Sequence, residues 1–283
     1  MKLLMPNPVL SAKLARLRKP IKQVHYRGED PNILAQKPIV AVVGTRRPTP
    51  YGKAITEKLV IQLVEAGAII VSGLAFGVDI IAHKAALEAG GQTIAVLPSG
   101  LDNIYPASHR RIAEHITQNG SLVSEYEPHH QPRKAEFLER NRIVAALSDA
   151  VIIPEAAESS GSLNTARQAR QMDIPVFAIP GPITSSLSTG TNWLIKNGQA
   201  RLSTGADDIL KILNLTIDQN ARTLKGSTTL ETSVLRTIAD ITGDVTQLQY
   251  ELGVDVTELQ TALTMLEIAG KIEQNELGKW HIA

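Results

Sequence analysis

From residue 38 to about 210 one pattern repeats: a short apolar, β-branched run, a turn containing Gly, Ser or Pro, then a stretch of helical periodicity. Few folds accommodate that alternation. Each apolar run reads as a strand and each periodic stretch as the crossover helix that returns the chain to the next parallel strand. The apolar runs lie at 39–43, 68–71, 93–97, 122–123, 150–153 and 176–179. The longer ones are apolar on both faces, which predicts central strands of a sheet covered by helices on each side. Between them, 51–65, 78–89, 108–118, 138–147 and 163–172 carry apolar residues at i, i+3 or i+4 spacing, as Ile80, Ala82, Ala85, Ala86 and Leu87 do. The expected class is α/β, with a doubly wound, mostly parallel sheet. Right-handed crossovers put every strand-to-helix turn at one sheet edge, where such folds bind ligands.

The rhythm stops at 212–228, a polar stretch that reads as a linker. Beyond it, helical segments at 230–239, 244–252 and 257–269 precede KIEQNELGKWHIA, in which a turn at 276–278 separates two strand-like runs. Three short helices and a hairpin predict a small C-terminal winged helix over 229–283. The main domain is then 1–211, opening with a basic leading segment, 1–37.

Composition narrows the chemistry. There is no cysteine, which excludes disulfides, thiolate catalysis and cysteine-ligated metal. No apolar run reaches the roughly 18 residues of a membrane span, and the N-terminus does not read as a secretory signal. A cytoplasmic address with no membrane partner is expected. The net charge of +1 hides an uneven layout: residues 1–37 carry eight Lys or Arg against two acids, and 227–283 carry nine acids against three bases. A polyanion is therefore expected on the main body, while the acidic tail meets something else.

Four turns at the predicted ligand edge carry chemistry. The first, Gly44-Thr45-Arg46-Arg47, joins a close-approach glycine and a hydroxyl to guanidiniums at a helix start, which are phosphate-binding parts. It is neither a Walker A loop nor GxGxxG. The second, Ser72-Gly73, leaves room for a backbone-lined anion site. Asp79 and His83 beyond it share a helix face, but without a third ligand they read as a dipole-complementing acid and a neighbour rather than as a metal pair. The third group is Lys134, Phe137, Arg140, Asn141 and Arg142. It offers cations for phosphates, an amide for base edges and a ring for stacking; the alternative is a solvated helix face with Phe137 in the core. The fourth, residues 155–165, brings Ser, Gly and Thr, with Gly161, Ser162 and Thr165 as the candidate contacts, to a helix start and reads first as helix capping. Four anion-friendly turns on one edge nevertheless suggest a groove that follows a phosphate backbone.

These residues bring out a resemblance. VAVVGTRRPTPYG, IIVSGLAFGVDIIAHKAALEAGG, TIAVLPSGLDNIYPASHR, SLVSEYEP, FLERNRIVAALSDAVIIPEAAESSGSLNTARQA, VFAIPGPI and STGTNWLIKNGQARLSTGADDIL resemble the DprA/Smf family in order and spacing across about residues 40–210. The resemblance implies a Rossmann-like domain in a cytoplasmic homodimer that binds incoming single-stranded DNA in natural transformation and helps load the RecA recombinase. It makes Gly44, Thr45 and Arg46 the phosphate loop and lets 137–142 add strand contacts. The chain departs from the family at Leu138, where a proline is usual, and at Trp193, where a basic residue is common. The leading segment is too short for the helical N-terminal domain of many relatives. The winged helix resembles one found in many members, but its expected recognition helix, 256–269, bears Glu258 and Glu267 and no base, so a protein partner or the basic body of a neighbouring subunit is expected there.

A competing expectation comes from Rossmann-like phosphoribohydrolases with a GGxGTxxE loop. Gln168 stands where that chemistry wants a carboxylate, and an amide cannot act as general base. Nucleotide sensing survives as the alternative, with Glu155, Glu158 and Asp79 the acids that could reopen the enzyme reading. No catalytic residue, cofactor or metal is assigned.

Overall fold

The computed structural model describes residues 1–217, 226–240, 243–275 and 278–283, and it divides into two units, Met1–Thr216 and Ile217–Ala283. In the first, the predicted alternation forms β3 (Ile39–Val42), α3 (Pro50–Glu65), β4 (Ile69–Ser72), α4 (Val78–Glu88), β5 (Thr93–Val96), α5 (Arg110–Asn119) and β6 (Ser121–Ser124). It continues as α6 (Glu136–Leu147), β7 (Ala150–Ile153), α7 (Ser162–Arg170), β8 (Val176–Ala178), α8 (Thr189–Lys196), β9 (Arg201–Leu202) and α9 (Asp207–Leu213). Ahead of these stand β1 (Lys2–Leu3), α1 (Pro8–Ala15), β2 (His25–Gly28) and α2 (Pro31–Leu34).

The sheet order is β1-β2-β6-β5-β4-β3-β7-β8-β9. All pairings from β6 to β9 are parallel, and β1 and β2 add an antiparallel edge. The fold is thus the doubly wound α/β class. Every residue of β3, β4, β5 and β7 is buried, as strands covered on both faces must be. After β3 the chain winds outward to β6, then returns through α6 to lay β7 on the other flank of β3. The resulting switch point between β3 and β7 opens a crevice at the strands' carboxyl ends.

In the basic leading segment, expected as part of a polyanion-binding body, three of the eight cations fasten the segment to the rest of the unit. Buried Lys13 pairs with Asp149 at 2.5 Å, Arg16 donates to the Ser148 carbonyl at 3.1 Å, and Arg27 pairs with Asp102 at 2.6 Å. Burial pulls the Lys13 pKa down, against the pull of Asp149. These short edge strands show no alternation long enough to read from sequence.

The second unit contains α10 (Thr229–Asp240), α11 (Val245–Leu252), α12 (Val256–Ile268) and a hairpin of β10 (Ile272–Gln274) and β11 (Trp280–Ile282). Gly243 bridges to Trp280, completing a winged-helix arrangement. Its core gathers Val234, Leu235, Leu248, Leu259, Leu263 and Trp280. Asp244 and Asp255 cap α11 and α12 by accepting N–H bonds from the first turns. The expected linker starts too early: α9 runs to Leu213, and the Leu215 N–H donates to the Leu210 carbonyl. Residues 218–225 of that stretch, and 276–277 of the hairpin turn, lie outside the described residues. No helix among the described residues is long and apolar enough to cross a membrane.

Candidate functional site

At the switch point lies a pocket of about 470 Å³, within the usual size range of ligand sites. The first turn lines it with Gly44, Thr45, Arg46 and Arg47, and α6 with Phe137, Leu138, Arg140 and Asn141. Ser159, Ser160, Gly161, Ser162 and Thr165 close it from the fourth turn. Residues from turns more than 100 positions apart therefore meet in one concavity, because the crossovers deliver them to the same sheet edge.

The first turn is held from beneath. A Cβ on Gly44 would overlap the Val78 side chain and the Glu155 carbonyl, so only glycine fits this joint. The Thr45 N–H donates to Glu155 O at 2.8 Å, the Thr45 carbonyl accepts from Val78 N at 3.1 Å, and Thr45 Oγ1 accepts from Arg47 N at 3.2 Å. So anchored, the loop leaves Arg46 and Arg47 exposed, with no carboxylate in ion-pair reach among the described residues. The Arg46 guanidinium lies 6.0 Å from the centre of the Phe137 ring, which meets Tyr105 edge to face at 5.3 Å. Phe137 is neither core nor fully exposed: it is partly buried and lines the pocket.

Across the pocket, Gly161 differs from Gly44. An added Cβ would find only Leu138 Cδ2, at 3.9 Å, so packing leaves the space above Gly161 open. The N–H groups of Arg46 and Gly161 have no protein acceptor among the described residues. Ser160 and Ser162 hydroxyls bond one another at 2.7 Å; Ser162 and Thr165 are otherwise buried. Asn141 donates to the Gly161 carbonyl at 3.3 Å and accepts from Arg140 Nε at 3.2 Å, tying α6 to the fourth turn.

Several expected site residues have other duties. Ser72 is fully buried and donates to the Val42 carbonyl at 2.6 Å, so it braces two strands. The anion site expected at Ser72-Gly73 is already filled by the chain itself: the Gly73 and Ala75 N–H groups donate to the Asp79 carboxylate at 3.1 and 3.4 Å. Gly73 is glycine because a Cβ would overlap the Arg140 guanidinium. Arg140, only 4% exposed, reaches the pocket wall but donates to the carbonyls of Gly73 and Val96 beside Asp79. It is therefore not an open phosphate fork. Burial lowers its pKa to about 10, opposed by Asp79 and furthered by Arg46; burial likewise raises Asp79, against Arg140. Arg142 lies outside the pocket lining, pairs with Glu125 at 2.5 Å and donates to the Lys19 carbonyl. Lys134 is exposed and also outside the lining.

Of the acids and the histidine weighed for other chemistry, Glu155 and His83 are likewise engaged. Glu155 accepts from the Thr49 N–H at 2.8 Å and hydroxyl at 2.7 Å, clamping the N-cap of α3, and Glu158 is exposed outside the lining. Fully buried His83 bonds Thr93 Oγ1 at 2.7 Å, apart from the Asp79 contacts, and burial pushes its pKa to about 3. Ser159 and Ser160, within the expected fourth turn but not singled out as contacts, also line the pocket, as do Leu138 and Leu187; nothing local marks Leu187.

Comparison with known proteins places this geometry. Residues 3–214 match the family model for DNA recombination-mediator protein A. DNA processing protein DprA of Streptococcus pneumoniae is 47% identical over 177 residues, covering 62% of this chain and 62% of that protein. Protein Smf of Escherichia coli is 39% identical over 243 residues, covering 82% and 65%. The chain thus spans less than two thirds of the length of these curated relatives. A solved structure of DNA processing protein A from Helicobacter pylori, described for its single-stranded DNA binding mode, matches with a TM-score of 0.68 and 41% identity, covering 75% of this chain and 95% of that one.

Proposed function

The chain belongs to the DNA recombination-mediator protein A family, known as DprA/Smf, and from that premise we propose that it binds single-stranded DNA at the switch-point pocket and works by binding, not catalysis. The observation that carries this reading is the exposed Arg46 guanidinium above the partly buried Phe137 ring, with Arg47 beside it and, among the described residues, no carboxylate in ion-pair reach of either. A cation over an aromatic face at the mouth of a pocket of mixed polar and apolar lining suits a strand that alternates phosphates and bases. The N–H groups of Arg46 and Gly161 and the serine hydroxyls supply further phosphate donors. Glu155 and Asp79, two of the three acids that could reopen an enzyme reading, are already committed to backbone and cap hydrogen bonds, and the third, Glu158, lies outside the pocket lining.

We further propose that it acts as a cytoplasmic homodimer that binds incoming single strands in natural transformation and helps load RecA onto them; the family's description as a recombination mediator supports the recombination part of that reading. Titration of labelled single- and double-stranded oligonucleotides at two salt concentrations tests the binding step. Single strands are expected to bind more tightly, with log K falling by about 0.7 per unit log[salt] for each phosphate neutralised. Equal affinity for duplex, or no salt dependence, would refute it.

A further inference from the structure

Arg46 and Arg47 line a second cavity as well, of about 570 Å³, whose other walls are Pro48, Phe76, Gly77, Ile80 and Ile81. Like the first it joins an aromatic ring to the same two guanidiniums, but it lacks the first cavity's serines, Asn141 and Asp79, and its remaining walls are apolar. We propose that Phe76 is a second base-stacking position, taking a nucleobase of the same single strand whose phosphates cross the Arg46–Arg47 ridge.

The ring is held in place from below. Gly77, at φ +77°, lets the second turn lie directly on the first, since a Cβ there would overlap the Thr45 carbonyl and the Arg46 backbone. That close approach is what brings Phe76 beside the two arginines. Buried His109 bonds the Leu74 carbonyl through Nδ1 at 2.8 Å and meets the Phe76 ring edge to face at 4.8 Å. With its position set, the ring still stands 48% exposed. An apolar protein segment would leave both guanidiniums without counter-charge. A polynucleotide supplies an anion and a flat π-face in every residue, which matches a cationic ridge flanked by ring-bearing hollows on two sides. The Tyr105–Phe137 pair belongs to the first hollow and the His109–Phe76 pair to the second.

The inference rests on the single-strand reading of the first pocket, and its test separates the two. Affinity for an oligothymidylate of about 12 nucleotides is measured with the parent chain and with Phe76→Ala, Phe76→Leu and Phe76→Trp, on the intact strand and on strands carrying one abasic residue at successive positions. Ala and Leu are expected to weaken binding about fivefold or more at unchanged salt slope, because no charge is removed, while Trp retains it. In the parent one abasic position costs affinity that Phe76→Ala no longer loses. Unchanged thermal melting of the Leu and Trp chains shows the fold intact. Parent-like binding by Phe76→Ala, Trp-like binding by Phe76→Leu, or equal abasic losses in parent and Ala chains would each overturn the stacking position while leaving the first pocket standing. Absence of salt-dependent single-strand binding by the parent would remove both.

Discussion

Arg46 and Arg47 in the first turn and Arg140 and Arg142 on α6 are the same residue type, carried to the same end of the sheet, yet they do opposite things. The first two are exposed and, among the described residues, without a carboxylate partner. The other two are buried: Arg140 against two strand-end carbonyls and Asp79, Arg142 against Glu125 and the Lys19 carbonyl. The lesson is that a guanidinium is available to a ligand only when the fold has not already satisfied its donors. A charge beside a pocket can be part of the wall.

The largest expected effect breaks that contrast from the buried side. Arg140→Ala would leave Asp79 without its countercharge and the Gly73 and Val96 carbonyls without donors, a loss of about 3–5 kcal/mol in urea unfolding. If this variant unfolded like the parent but bound DNA poorly, Arg140 would be a ligand residue after all. A pH titration probes the same charge. His83, pushed to about 3 by burial and then by Arg140 and His109, stays neutral in the folded chain while its unfolded counterpart protonates below about 6.5. Its contribution to stability is present above about pH 6.5 and is lost as pH falls towards 3, at up to about 1.4 kcal/mol per unit. His83→Gln should flatten that acid limb, and unfolding curves of both chains that overlay across this window would contradict it. The smallest effect on the fold comes from the exposed side. Arg46→Ala and Arg47→Ala should unfold within about 0.5 kcal/mol of the parent. Each should nevertheless shorten the salt slope for single strands by about 0.7. A parent-like slope in both variants would take these arginines out of the interface.

Much of this architecture could be read before any coordinates. The runs at 150–153 and 93–97 became β7 and β5 almost residue for residue, since fully apolar, β-branched runs leave a strand few other places to go. The first turn was legible because Gly44, Thr45 and Arg46 form a local motif whose neighbours in sequence are its neighbours in space. The second turn misled for the converse reason. Ser72 and Gly73 look like an open anion site in sequence, and the carboxylate that fills it, Asp79, was read as a helix-dipole acid. The edge strands β1, β2 and β9 escaped notice because their sequences, KL, HYRG and RL, are not apolar runs.

What the chain's linear order settled by itself was the succession of strands and helices and the edge on which their turns gather. Those follow from short-range periodicity, capping and the handedness of crossovers. Which cations face solvent was decided only by the tertiary fold. Arg140 finds its carbonyl acceptors 67 and 44 residues away, and no local pattern encodes a partner at that distance. Desolvation then fixes the outcome, because a charge removed from water must be matched by whatever the packing brings beside it.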